Sequence, residues 1–402
     1  MNILFVTWDG PQVSYLEALF LPIFKELNDL GYRFHILQFT WGAKNKVAQT
    51  KKACEIAGCT YEMVPVIRKP IALGRLISAV MGYRAIQRSI EQYNIDVALP
   101  RSTLPALSCL LALRGSDTKF VFDADGLPLD ERVDFGGLSP SGLVYRLLRD
   151  IESQAVRRAD KVLTRSDRAS DILLARAGAG TKAEKFYVVT NGRDANLFFP
   201  GVSGSREATR CSLGIPFRAP LLVYAGSIGP QYCVDEMFRL YERVLEQRPD
   251  AHLLVLTGSP EIINAKLESR ERVIDKVMVM RVSANDVPAY LATSDLGLAF
   301  RRSSFSMQGV SPIKLGEYLL CGLPLVATRG IGDTDVIDKQ AGILVEHMDE
   351  AELSAVADWF VHTVLPQREV LRSHCREIGV RYFSLETSVA SYYQSLTELA
   401  DS

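Results

Sequence analysis

The chain has no Cys-x-x-Cys pair. Its seven cysteines (Cys54, Cys59, Cys109, Cys211, Cys233, Cys321 and Cys375) are odd in number and scattered. Such spacing offers neither a zinc ribbon nor a disulfide framework, and predicts reduced thiols in a cytosolic protein. Histidine is scarce, with five in 402 residues (His35, His252, His347, His362 and His374), so chemistry that needs an imidazole base has few candidates. No apolar run reaches the ~20 residues of a membrane-spanning helix. The opening MNILFVTWDG has no basic leader and meets Asp9 at once, which reads as a strand rather than a signal peptide. Charge of one sign is missing too: 46 Lys and Arg face 47 Asp and Glu, a net charge of −1 that gives no pull toward nucleic acid. Low-complexity segments and short repeats are absent.

What is present is length and alternation. A chain of 402 residues, 48% hydrophobic and 23% charged, has room for two α/β domains, each with its own core. Strand-like runs at 3–7, 33–39, 97–100, 119–123, 161–165 and 186–190 alternate with helical spacing, as at 15–30 and 143–158. After a Gly, Ser, Arg and Pro-rich stretch at 200–220, read as a linker, the alternation restarts with runs at 221–224, 253–257, 277–280, 297–300, 325–328 and 343–345. This predicts two parallel sheets wrapped by helices, with a ligand cleft at the carboxyl edges of their strands.

The most informative stretch is SPIKLGEYLLCGLPLVAT, residues 311–328. It reads as a helix that stops at Cys321-Gly322-Leu323-Pro324 and feeds a buried strand. Ser311 suits an N-cap, and Pro312 falls at the first helical position, where a missing N–H costs nothing. The free amides of Ile313 and Lys314 then leave the helix start, where the dipole favours an anion, and the Lys314 ammonium adds a full charge. Glu317 lies about a turn further along, within reach of a sugar hydroxyl on a ligand whose phosphates sit at the helix start. A nucleotide-sugar, with a diphosphate beside a ribose, matches this apparatus. A well-capped helix with no ligand uses the same residues.

With its Ser-Pro-x-Lys-x-x-Glu-Tyr run, the stretch resembles the donor-site signature of family-four (group 1) glycosyltransferases of the GT-B fold, in their polysaccharide and lipopolysaccharide branch. The motif order is similar to that family along nearly the whole chain: Ala159-Asp160-Lys161-Val162, Asn191-Gly192-Arg193-Asp194, Phe198-Phe199-Pro200, and Phe383-Ser384-Leu385 before a last helix. The resemblance implies two Rossmann-like doubly wound domains facing across a cleft. Residues 1–200 would bind acceptor and 201–383 donor, with a helix at about 384–402 crossing back to the first domain. It implies hexosyl transfer from a nucleoside-diphosphate-sugar to a glycan or lipid-linked acceptor, with retention and with no metal or other cofactor. The expected setting is cytoplasmic, including peripheral contact at the inner face of the membrane, with no nucleic-acid partner. Donor contacts carry over to Gly226, Ser227, Arg302, Ser311, Pro312, Ile313, Lys314 and Glu317. Acceptor-side contacts carry over to Gly10, Gln12, Asp125 and Glu131, and catalytic roles to Asp125 and Lys314.

The chain departs from the family pattern in places. Larger relatives set two glutamates eight positions apart; the first would fall at Gly309. Ser227 and Gln231-Tyr232 stand where relatives place Arg and Lys-Gly on the donor phosphates, leaving Arg301-Arg302 and Lys314 to supply that charge. Asp125 stands where many relatives have His or Arg. It either orients an acceptor hydroxyl or cationic sugar, or caps its own loop through Arg132. Asp123-Ala124-Asp125 also spells the Asp-x-Asp that binds metal in another glycosyltransferase fold, though donor machinery in the C-terminal half speaks against that use. Gly330-Ile331-Gly332-Asp333 either closes on the donor sugar or is a plain turn. In residues 67–88, Ile77, Met81, Arg84 and Arg88 share one flank, which is either a solvated helix edge or a rest on an anionic membrane. These departures keep open a catalytically silent nucleotide-sugar-binding subunit and a nucleotide-sugar epimerase on the same fold.

Overall fold

The computed structural model describes residues 1–10, 15–202, 204–270 and 272–400. They form two compact units. One comprises Met1–Thr190, Gln308–Val310 and Ser388–Ser402, the other Asn191–Met307 and Ser311–Thr387.

The first unit is a seven-stranded parallel sheet: β1 (Asn2–Asp9), β2 (Arg33–Thr40), β3 (Thr60–Pro65), β4 (Val97–Pro100), β5 (Lys119–Asp123), β6 (Lys161–Thr164) and β7 (Phe186–Val188), in the order β3-β2-β1-β4-β5-β6-β7. Ile3, Leu4, Phe5 and Val6 are all buried, the continuous apolar run expected of a parallel strand covered on both faces. Sequence reading passes over β3, an edge strand that is half exposed and ends in Pro65, so neither its periodicity nor its apolarity stands out. The segment 67–88 is two helices, Ile71–Met81 and Tyr83–Tyr93. They divide at Gly82, where a Cβ would stand 2.3 Å from the Phe39 ring, so no single flank runs from Ile77 to Arg88. The last helix, Leu385–Ala400, belongs to this unit from Ser388 onward. Ser388 bonds Thr190, Tyr392 reaches Arg165, and Tyr393 meets Tyr32 edge to face.

The second unit is a six-stranded parallel sheet: β8 (Leu221–Ala225), β9 (His252–Leu256), β10 (Val277–Met280), β11 (Leu296–Ala299), β12 (Leu325–Thr328) and β13 (Gly342–Val345), in the order β10-β9-β8-β11-β12-β13. The units part at Thr190–Asn191, and residues 200–220 are built into the second one. They contain a helix, Ser205–Ser212, whose Arg210 is fully buried, pairs with Asp295 at 2.8 Å and donates to the carbonyls of Thr293, Pro216, Phe217 and Ala219. A polar, Pro-containing composition hid a segment held by one buried arginine. All seven cysteines are free thiols; six are buried and Cys211 is exposed. Among the described residues, no helix is long and apolar enough to cross a membrane.

Candidate functional site

In the second unit the strand order turns about β8 and β11, from which the sheet grows outward in opposite directions. Doubly wound sheets take ligands outside the carboxyl ends at such a reversal. The Ile313–Leu320 helix is tied over this point by Tyr318. Its hydroxyl accepts from the Ala225 amide of β8 at 2.9 Å and donates to the Leu298 carbonyl of β11 at 3.2 Å. The helix starts one residue later than the sequence suggests: Pro312 is the N-cap, and no side chain caps it. Extended backbone at Pro312 (φ −71°, ψ 110°) leaves Ser311 outside the helix, and its hydroxyl donates to Asp333 Oδ2 at 2.7 Å instead.

Lys314 is 8% exposed. Its Nζ lies 3.9 Å from the Tyr224 ring centroid and 4.7 Å from that of Tyr232, with no hydrogen-bond partner among the described residues. A Cβ added to Gly226, just past β8, would stand 3.1 Å from this nitrogen. Burial, and then the charge of Arg301, hold the ammonium well below the usual lysine range. A buried cation without a hydrogen-bonded partner is costly, and the field of Glu317 only partly opposes the shift.

The second cation here is Arg301, not Arg302. The Arg301 guanidinium lies 5.0 Å over Tyr232 and its amide donates to Thr328 Oγ1 at the end of β12. The Arg302 side chain is exposed, and its backbone amide bonds the Gln231 carbonyl. Successive residues leaving a strand project to opposite sides, so only one of the pair can face Lys314. Ser227 is exposed beyond β8, its carbonyl accepting from the Tyr224 hydroxyl at 2.5 Å.

Glu317 is already engaged: Oε1 lies 3.0 Å from Arg193 Nε, and the Arg193 guanidinium sits 4.8 Å over Phe198. Asn191 Nδ2 donates to the Ser311 carbonyl at 3.1 Å. The Asn-Gly-Arg-Asp motif thus grips the 311–317 stretch near both ends, a contact more than a hundred residues apart in sequence. Burial raises the Glu317 pKa, opposed by Arg193 and then Lys314.

The turn at 330–333 is held by Gly332 N–H to the Met307 carbonyl and by the Ser311–Asp333 bond. Burial pushes the Asp333 carboxyl up to about 6. Because its folded pKa is raised, the stability it contributes is present below the ordinary carboxyl pKa and is lost as pH rises through about 6. Asp333→Asn keeps an acceptor for Ser311. The variant should match wild type near pH 4 and exceed it above pH 6 by about 1–3 kcal/mol, read by urea unfolding at both pH values. A constant difference across that range would contradict the assignment.

In the first unit the residues past β1, β4, β5 and β6 gather at the carboxyl edge. Asp123 is fully buried, and its Oδ2 accepts from Arg165 Nη2 at 2.8 Å. Its Oδ1 accepts from the Asp125 amide at 3.0 Å, holding Asp125 in a left-handed conformation at φ 53°. The Asp125 carboxylate meets Arg101 Nη2 at 2.5 Å and lies 3.9 Å from Arg165. Its partner is therefore Arg101 and not Arg132. The turn at Asp125 directs the carboxylate back to the β4 end, while Arg132 stands on the exposed side of the Pro128–Asp134 helix. Glu131 is half-buried on that helix, next to Asp130, which takes a bidentate pair from Arg176. Asp9 is buried, accepting from Thr7 and Gln38. Gly10 follows it against Trp41, and Gln12 lies outside the described residues.

Sequence reading names neither Arg101 nor Arg165 and gives Arg193 only within a motif; Arg301 it offers beside Arg302 as phosphate charge, and Asp333 within the 330–333 turn. All five stand within five residues beyond a strand end, a position that could have flagged them.

Residues 17–192 match the family model described as glycosyl transferase 4-like domain, and residues 219–362 that described as glycosyl transferases group 1. Over 219 residues the chain is 27% identical to the D-inositol 3-phosphate glycosyltransferase of Corynebacterium jeikeium, covering 51% of this chain and 49% of that protein. Over 173 residues it is 25% identical to the GDP-mannose-dependent monoacylated alpha-(1-6)-phosphatidylinositol monomannoside mannosyltransferase of Corynebacterium glutamicum, covering 42% and 45%. The chain spans about half the length of these curated relatives. In fold it is similar to the crystal structure of Anabaena HepE in complex with UDP, with a TM-score of 0.76 at 16% identity, covering 99% of this chain and 100% of that one.

Proposed function

Since this chain belongs to the family-four (group 1) glycosyltransferases of the GT-B fold, we propose that it transfers a hexose from a nucleoside-diphosphate-sugar to a glycan or lipid-linked acceptor, with retention and without metal. The observation that carries the reading is Lys314: a buried ammonium with no hydrogen-bond partner among the described residues, at a helix start, over the reversal of a doubly wound sheet. A diphosphate there gains the Ile313 and Lys314 amides, the Lys314 charge and the nearby Arg301. Glu317, one turn on, takes the ribose. Catalysis then rests on positioning and on stabilising the departing diphosphate. Asp125, at the carboxyl edge of the first unit, acts on the acceptor or the transferred sugar.

The test is a thermal-shift panel of UDP-, GDP- and dTDP-sugars, followed by turnover of a labelled donor with and without acceptor. Donor at a hundredfold over Kd stabilises by ~2.7 kcal/mol. No shift with any donor overturns the reading. Binding without hydrolysis or transfer supports a silent subunit instead, a reading favoured by Gly309 and by the Arg193–Glu317 pair.

Two further outcomes are expected. Transfer should survive EDTA, because Asp123 and Asp125 already carry guanidinium partners. Loss with chelator, restored by Mn²⁺ or Mg²⁺, would return those two carboxylates to a metal. Glu317→Ala should weaken donor binding by about ten- to a hundredfold, the worth of a charged hydrogen bond of ~1.5–3 kcal/mol. Arg193→Met should raise the Glu317 pKa further, so that donor affinity falls at low pH and recovers as pH rises. Isothermal titration across pH reads both variants, and a flat profile for Arg193→Met would remove Arg193 from that role.

A further inference from the structure

Two cations of the second unit are partnered by rings. Lys314 Nζ and Arg301 Nε are both buried with no hydrogen-bond partner among the described residues. Lys314 Nζ lies 3.9 Å from the Tyr224 centroid and 4.7 Å from that of Tyr232, and the Arg301 guanidinium lies 5.0 Å over Tyr232. One ring therefore serves both charges. Tyr224 and Tyr232 meet edge to face, 6.3 Å apart at 69°, so they form a corner rather than a stack.

Neither ring belongs to the helix that carries Lys314. Tyr224 is the penultimate residue of β8, 1% exposed, with its hydroxyl donating to the Ser227 carbonyl. Tyr232 lies in the turn beyond β8. Its amide donates to the Gly229 carbonyl at 3.0 Å, and the Arg302 amide donates to the Gln231 carbonyl at 2.9 Å. The second bond joins the Tyr232 turn to the chain beyond β11, next to Arg301. Main-chain bonds thus set the ring against a cation that another strand supplies. The charges facing Lys314 are Arg301, which disfavours its ammonium, and Glu317 on its own helix, which favours it. A ring face attracts a cation yet carries no net charge. A carboxylate in its place would cancel the two cations and repel a phosphate; a ring does neither.

We propose that Tyr232, with Tyr224, is a positioning residue for the donor diphosphate: the two rings hold the Lys314 ammonium beside the Arg301 guanidinium until the diphosphate becomes their shared partner. The inference deepens the nucleotide-sugar reading and rests on it for its ligand. The first readout needs no donor. Lysine side-chain NMR of the full chain, with the Lys314 signal identified by its loss in Lys314→Met, should show the Lys314 ε-protons moved upfield by the ring currents. Tyr232→Phe should keep that displacement. Tyr232→Leu should reduce it and lower the pH at which Lys314 gives up its proton. The second readout is calorimetric titration with UDP and with GDP. At alkaline pH Tyr232→Leu should bind about tenfold more weakly than wild type, the equivalent of one desolvated cation–π contact. The two should converge as pH falls and Lys314 regains its proton, while Tyr232→Phe should follow wild type throughout. A Lys314 signal at the ordinary lysine position in wild type would overturn the proposal. So would Tyr232→Phe losing displacement and affinity as fully as Tyr232→Leu. If neither nucleotide binds wild type, the donor reading fails and takes the ligand of this proposal with it. If nucleotides bind and all three proteins share one affinity and one spectrum, the positioning role fails alone.

Discussion

Lys314→Met should lower turnover of a nucleotide-sugar donor by about 10²–10³-fold, the scale on which a single group stabilising developing charge acts, and should at the same time raise the melting temperature. The two effects share one cause. The ammonium is buried beside Arg301 with only the Tyr224 and Tyr232 rings against it, so the free protein bears its desolvation. Methionine fills similar space without the charge. In wild type an arriving diphosphate supplies the anion and lifts the depressed Lys314 pKa toward its ordinary value. Donor binding should therefore take up protons, and affinity should decline as pH rises between the free and bound pKa values. Calorimetry in buffers of different ionisation enthalpy measures that uptake. A destabilised Lys314→Met with normal turnover would make Lys314 a packing residue.

Asp123→Ala should destabilise the first unit by ~3–5 kcal/mol, because it strands Arg165, which is 2% exposed and pairs with Asp123. Asp125→Ala removes a carboxylate that is 26% exposed and whose partner Arg101 retains some solvent contact, so its effect on unfolding should be small. Its effect on transfer should be large, with turnover falling far more than nucleotide affinity, since Asp125 is assigned to the reacting sugar or acceptor. Asp125→Asn separates charge from hydrogen bonding: the amide keeps one acceptor oxygen but cannot balance Arg101. Chemical denaturation and steady-state kinetics on the three variants give the comparison. If Asp125→Ala keeps turnover within a few-fold, the residue is only the counter-ion of Arg101.

Most strands that sequence locates are buried on both faces, such as β4, β5 and β12, although the half-buried edge strands β7 and β10 are found as well from their apolar runs. Burial writes itself into composition, so these are legible. Edge strand β3 is not, since it faces water and mixes polar with apolar residues. Within the candidate site, the helix start and Lys314 follow from local rules of capping and dipole. The partners of its charged groups do not. Arg193 finds Glu317, Arg101 finds Asp125 and Ser311 finds Asp333 through strand order alone, and no local pattern announces a pairing made across a sheet. Cap position fails by one residue for a related reason, because the Ser311 hydroxyl donates to Asp333 instead of accepting from the helix amides.

Gly309 occupies the place where a glutamate would complete the family's pair, and it packs against Gly126. A Cβ on Gly309 would stand 2.9 Å from Leu127 Cγ and 3.1 Å from the Leu127 nitrogen; one on Gly126 would come 2.3 Å from the Gly309 oxygen. Gly126 also has φ 79°, a conformation side chains resist. The two glycines therefore interlock. Neither position can accept a side chain while its neighbours stay put, so no single substitution installs a carboxylate at 309 without displacing the Gly126–Leu127 backbone.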